Sequence, residues 1–212
     1  MTKVKICGLM NKEHVNTAVQ SGADAIGFVF AKSKRQVSIE KAAQLATAVP
    51  ASILKIGVFV DAEPAFIVKA YQEVPLDYVQ FHGHETNEEI QRLGLPSIKA
   101  CSVKCEEDIE RASTYDTDYL LLDAPGIEFA GGSGKTFNWN LLFNHPALKE
   151  RKIILAGGLN ASNVKQAIDI ANPYMLDVSS GVEKNGQKDH ALIKRFIEAA
   201  KGECLVNGKR TK

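Results

Sequence analysis

The chain has 212 residues, of which 45% are hydrophobic and 24% charged, with a formal net charge of +1. That balance belongs to ordinary globular proteins and argues against a nucleic-acid or anionic-membrane surface as the main partner. No apolar run reaches the roughly 18 residues of a membrane span.

The start, MTKVKIC, enters a strand directly, without the apolar stretch of a secretion signal. Four cysteines (Cys7, Cys101, Cys105 and Cys204) are too few and too scattered for a disulfide framework. Cys101 and Cys105 lack the second Cys or His pair that a tetrahedral metal site needs, so no metal is expected. These features together place the chain in the cytoplasm.

Short apolar runs rich in Val, Ile, Leu and Phe recur, each followed by a segment of helical period. In chain order the strands are VKICGL (4–9), AIGFVF (25–30), LKIGVFV (54–60), YVQFHG (78–83), SIKACSV (97–103), YLLLDA (119–124), KIILAGG (152–158) and MLDVSSG (175–181). Helices are expected near 11–20, 38–48, 63–73, 86–93, 105–113, 138–143, 161–171 and 189–201. Pro64 suits the first turn of the third helix. Thr86-Asn87-Glu88-Glu89 spells a capping box at the start of the fourth. Strict alternation implies parallel strands joined by crossovers, and eight repeats in this length predict a single α/β domain, a closed (β/α)8 TIM barrel. It occupies residues 1–203, with 204–212 as a loose C-terminal tail.

Chemistry in such barrels sits at the carboxyl ends of the strands. Strand side chains alternate faces, which sorts the residues. Val4 and Ile6 should pack on the helices, turning Lys5 and Cys7 inward, with Cys7 uppermost. Leu120 and Leu122 face out, so Asp123 points inward at the top of the sixth strand. Leu176 and Val178 likewise leave Asp177 and Ser179 inside, and the fourth strand contributes Gln80 and His82. A thiol, carboxylates and an imidazole make a mouth more polar than packing requires. Gln80 and His82 are read as network residues, because buried polar groups usually serve hydrogen-bond networks.

Three stretches are glycine-rich. GGSGKT (131–136) resembles the end of a P-loop, but the required glycine five positions before Gly134 is Phe129, and the stretch follows its strand at too great a distance. It is read as a loop that closes over substrate. LAGGLN (155–160) and DVSSGVE (177–183) end the seventh and eighth strands, where this fold binds phosphate on backbone N–H groups.

Taken in order, KICGL, GFVF followed by Ser33-Lys34-Arg35, VQFHG, LLLDA followed by GGSGKTFNW, LAGGL and DVSSGVE resemble the phosphoribosylanthranilate isomerases of tryptophan biosynthesis. The resemblance runs from residue 5 to residue 183. It implies an Amadori rearrangement of N-(5-phosphoribosyl)anthranilate to 1-(2-carboxyphenylamino)-1-deoxyribulose 5-phosphate by general acid–base catalysis. It further implies Cys7 as base, Asp123 as acid, Arg35 on the anthranilate carboxylate, and Gly157, Gly158, Ser180 and Gly181 at the phosphate. Asp177 is counted with the substrate-binding residues, since it faces the same site. No cofactor is needed, because the substrate's own nitrogen serves as electron sink. Lys34 stands where the family usually has proline.

A nearby ammonium raises the thiolate fraction of a cysteine, so Lys5 is expected to serve Cys7 as its charge partner. The nearest rival, the related histidine-pathway isomerase, favours a carboxylate at the end of the first strand. The partner is thus a small phosphosugar–anthranilate molecule, with no nucleic acid and no membrane, on a monomer or a homodimer.

Overall fold

The computed structural model describes residues 2–124 and 138–202, together with the backbone of 205–206 and 209–210. The expected closing loop at 126–136 lies outside the described residues, as does most of the 204–212 tail. Eight strands close in sequence order into one barrel. They are β1 (Lys3–Cys7), β2 (Ala25–Val29), β3 (Leu54–Phe59), β4 (Tyr78–Phe81), β5 (Ser97–Ser102), β6 (Tyr119–Asp123), β7 (Ile153–Leu155) and β8 (Met175–Val178). Every neighbouring pair is parallel, and β8 closes on β1 with Lys3 opposite Met175 and Lys5 opposite Asp177.

Period-two alternation divides the apolar residues into two cores, as a sheet covered on both faces requires. Val4, Ile6, Leu120, Leu122, Leu176 and Val178 pack outward beneath the helices. Ala25, Ile56, Ile98, Leu121, Ile154 and Met175 fill the barrel itself.

Helices α1 (Lys12–Gln20), α2 (Ile39–Ala46), α3 (Pro64–Glu73), α4 (Asn87–Leu93), α5 (Glu106–Ser113), α6 (Val164–Ala171) and α7 (His190–Lys201) form the outer ring. Their starts follow from local chemistry. Asn11, Ser38 and Asp189 accept hydrogen bonds from the backbone amides of His14, Lys41 and Leu192. Pro64 opens α3, and Thr86 with Glu89 makes the expected capping box. Gly94 and Gly202 end α4 and α7 in the left-handed conformation.

Two places depart from the sequence reading. No α-helix follows β6 among the described residues: two 3-10 turns, Trp139–Leu142 and Pro146–Leu148, stand where a helix near 138–143 was expected. The segment is too short to nucleate a helix before Asn144, at φ +52°, and Pro146 end it. After β8 the chain makes a 3-10 turn at Ser180–Val182 and then a small hairpin, β9 (Glu183–Lys184) with β10 (Gln187–Lys188), before α7. In the tail, β11 (Leu205–Val206) pairs antiparallel with β12 (Lys209–Arg210).

Candidate active site

The carboxyl ends of the strands surround a cavity of about 610 Å³. Cys7, Arg35, Asp123, Gly157, Gly158, Asp177, Ser180 and Gly181 all line it, as do Gln80 and His82. Positions 7 and 123 thus open into one chamber, although 116 residues of chain separate them. Val29, Val58 and Val60 give the chamber an apolar wall beside Arg35.

The turns after β7 and β8 are shaped for close backbone approach. Gly157 has φ +88°, and a Cβ there would stand 2.5 Å from the Ala124 amide nitrogen and 2.7 Å from Asp123 Oδ1. At Gly181 a Cβ would meet the Leu159 carbonyl at 1.8 Å, so the two turns interlock only through glycine. Asn163 Nδ2 donates to the Gly158 carbonyl at 3.0 Å and stiffens the first turn. No hydrogen bond among the described residues takes up the backbone N–H of Gly157 or Gly158.

The carboxyl of Asp123 is pushed up to about 7, chiefly by burial and then by the negative charge of Asp177. The Ala124 amide and Lys5 oppose this, but only in part. Asp123 therefore keeps a proton near neutrality, as an acid catalyst must. His82 Nε2 lies 3.7 Å from Asp123 Oδ2, and Gln80 Nε2 lies 3.1 Å from His82 Nδ1. Burial drives the imidazole down to about 4, so it is neutral at physiological pH. With Gln80 Nε2 donating to Nδ1, the neutral ring carries its proton on Nε2, the nitrogen nearer the carboxyl.

Lys5 serves the role expected of it only in part: its charge and a hydrogen bond lower the Cys7 thiol, but by less than burial raises it. Its ammonium is fully buried and donates to Asp177 Oδ2 at 3.0 Å, across the seam where β1 meets β8. Asp177 Oδ1 is buried without a hydrogen-bond partner among the described residues. With Lys5 committed to a carboxylate, burial of the Cys7 thiol outweighs the pull of Lys5 and Lys188 and raises its pKa. The lysine is chiefly the counter-ion of Asp177. Breaking a buried pair leaves a bare charge in the barrel, which costs about 3–5 kcal/mol. Lys5→Met is therefore expected to lower unfolding stability by that amount, read from the urea midpoint. A loss below 1 kcal/mol would show the pair to be solvated.

The sequence reading missed Glu183 and Lys188. Glu183 takes both Arg35 Nε (2.6 Å) and Arg35 Nη2 (2.9 Å), and buried Lys188 donates to the same carboxylate at 2.8 Å. The signal was present: Asn185-Gly186, with φ +52° and +78°, is a two-residue hairpin turn that returns Lys188 to Glu183.

A closed parallel barrel with a raised carboxyl, a buried thiol and two open glycine turns at its mouth defines an acid–base enzyme of the (β/α)8 class. The chain belongs to one family within that class. Residues 4–199 match the model of the N-(5'-phosphoribosyl)anthranilate (PRA) isomerase family. It is 52% identical over 202 residues to N-(5'-phosphoribosyl)anthranilate isomerase of Bacillus mycoides, covering 95% of this chain and 98% of that one.

The crystal structure of the Thermotoga maritima phosphoribosylanthranilate isomerase superposes with a TM-score of 0.87 at 44% identity, covering 95% of this chain and all of that one. A further crystal structure of the enzyme, in complex with reduced 1-(o-carboxyphenylamino)-1-deoxyribulose 5-phosphate, gives 0.85 at 42% identity with the same coverage.

Proposed function

We propose that this chain converts N-(5'-phosphoribosyl)anthranilate to 1-(2-carboxyphenylamino)-1-deoxyribulose 5-phosphate, the isomerisation of tryptophan biosynthesis, with Asp123 as acid and Cys7 as base. The observation that carries the assignment is a carboxyl held near 7 in the same cavity as a buried thiol. Asp123 protonates the furanose oxygen, the ring opens, and the anilino nitrogen forms an iminium. Its positive charge acidifies the adjacent C2′ proton, which Cys7 removes as thiolate. The electrons of that C–H bond neutralise the nitrogen, and the enol relaxes to the ketose. His82, neutral and facing Asp123, supports the carboxylate once its proton has left.

The remaining residues bind. Arg35 takes the anthranilate carboxylate, with the aromatic ring against Val29, Val58 and Val60. Gly157, Gly158, Ser180 and Gly181 hold the phosphate, and Asp177 adds its negative charge to the burial that keeps Asp123 protonated. The catalytic unit spans 1–203 as a monomer or homodimer, with 204–212 as a tail outside it. A cytoplasmic setting fits the described cysteines, Cys7, Cys101 and Cys105, all free thiols. No helix among the described residues is long and apolar enough to cross a membrane.

The test is the loss of anthranilate-type fluorescence when the phosphoribosyl substrate is added, followed across pH. The reactive form needs Asp123 protonated and Cys7 ionised, the reverse of their resting states at mildly alkaline pH. For kcat/KM, which reports the free enzyme, this gives a bell with its acid limb near 7 and an alkaline limb above the ordinary thiol value. An optimum below pH 6 contradicts the assignment.

A further inference from the structure

The hairpin that follows β8 carries a set of buried ions that the acid–base chemistry does not use. Lys188 Nζ, with its side chain 1% exposed, donates to the Ser179 carbonyl at 2.8 Å, Ser179 Oγ at 3.1 Å and Glu183 Oε1 at 2.8 Å. Ser179 Oγ in turn donates to the Cys7 carbonyl at 3.2 Å. Glu183 thus stands on a post anchored to β1 and to the turn after β8, and its carboxylate grips the Nε–Nη2 side of Arg35. From the opposite direction Gly8 closes on the arginine stem: a Cβ there would lie 2.6 Å from Arg35 Cδ. Lys34 Nζ adds a weaker contact with Glu183 at 3.6 Å.

A guanidinium has two edges that can take a carboxylate with paired bonds, one at Nε and Nη2 and one at the two terminal nitrogens. Glu183 occupies the first. The second, Nη1 with the remaining N–H of Nη2, belongs to a side chain that lines the cavity. Charge points the same way. Arg35 and Lys188 carry two positive charges against one on Glu183, so the cluster retains net positive charge for an anion. A buried carboxylate facing two buried or half-buried cations is costly to desolvate, and fixing geometry is the best-attested use of such clusters.

We propose that Glu183, braced by Lys188, is a positioning residue that aims the outer edge of Arg35 at the carboxylate of the substrate's aromatic ring. The proposal rests on the reading of Arg35 as the carboxylate receptor. It assigns Glu183 no contact with substrate and no proton transfer. Its effect runs wholly through the orientation of one guanidinium, which distinguishes it from a residue that merely holds the hairpin in place.

The experiment is a steady-state cycle with N-(5'-phosphoribosyl)anthranilate, using Glu183→Gln, Arg35→Ala and the double variant, with inhibition by inorganic phosphate measured in each. Charge-assisted bonds are worth about 1.5–3 kcal/mol, so Arg35→Ala should raise KM roughly 10- to 150-fold. Glu183→Gln should raise KM about tenfold with kcat changed much less, and should add less than about twofold in the Arg35→Ala background. Phosphate inhibition should stay within about twofold throughout, since neither side chain touches the glycine turns.

Equal Glu183→Gln factors in both backgrounds would make Glu183 a structural residue and overturn the proposal. A wild-type KM for Glu183→Gln beside a raised one for Arg35→Ala overturns it while leaving Arg35 as receptor. Wild-type values for both remove the receptor reading itself, and the proposal with it. Should Glu183→Gln fail to fold, Arg35→Lys decides. It keeps the charge but loses the paired grip, so it should resemble Arg35→Ala, and a wild-type KM overturns the proposal.

Discussion

Asp123→Asn is expected to abolish most turnover and, above neutral pH, to make the protein more stable. The amide keeps the shape and still accepts the Ala124 N–H, but it carries no proton to give, so kcat should fall about 10²- to 10⁴-fold, the usual worth of a general acid. The stability change follows from linkage. In the folded protein the carboxyl is held at about 7, against 3.8 in its ordinary setting. Below the lower value both states are protonated and the site costs nothing. Between the two, the unfolded chain has released its proton while the folded one retains it, so stability falls as pH rises.

Above about 7 the full cost applies, roughly 4 kcal/mol for a shift of this size. Asparagine cannot ionise and escapes it. Urea unfolding at pH 8.5 should therefore favour the variant by up to that amount, with the advantage vanishing near pH 4. A variant no more stable than wild type at pH 8.5 would mean that Asp123 is not raised in the folded state. The active site is destabilised by the same burial that makes it work.

That coupling marks what the sequence could and could not reveal. The strands were legible because buried parallel strands are short apolar runs, and their faces were legible because side-chain period two is strict. From faces alone, Cys7, Asp123, Asp177, Gln80 and His82 were assigned to the interior, and all five line the cavity. Charge pairing was not legible. Lys5 lies two residues from Cys7 in the chain, and proximity suggested that it served the thiol. Only closure of the barrel brings β8 beside β1, where register sets Lys5 opposite Asp177, 172 positions away.

The 3-10 turns found where a helix near 138–143 was expected have a local cause, since Asn144 and Pro146 cut the segment before helical propagation offsets nucleation. The Glu183–Lys188 hairpin was written in the Asn185-Gly186 pair. It went unread because the DVSSGVE stretch was taken only as a phosphate turn running on toward the last helix. Its function depends on Arg35, which arrives from the loop after β2, and no local pattern links those two loops.

Cys7→Ala carries the heaviest weight on the acceptor side of the reaction. Loss of the base should lower kcat by about 10²- to 10⁴-fold, with KM little changed because the thiol is not among the anion receptors. Folding should hardly suffer. The thiol lies over Gly27, which carries no side chain, and alanine at position 7 introduces no clash there. The residual activity should also lose the rise on the acid side of its pH profile and fall only above about 7, as Asp123 gives up its proton.

Chemistry on the wild-type thiol gives an independent measure. Alkylation by iodoacetamide proceeds through the thiolate, so inactivation should accelerate with pH well past neutrality, because burial outweighs Lys5 and Lys188 and raises the pKa. The reduced product analogue that the related isomerase binds should protect. Fast alkylation already at pH 6 would mean that Lys5 and Lys188 outweigh burial after all. In that event the pairing of Lys5 with Asp177 would be secondary, and the barrel would hold its base ionised at rest instead of reacting through a minor thiolate fraction.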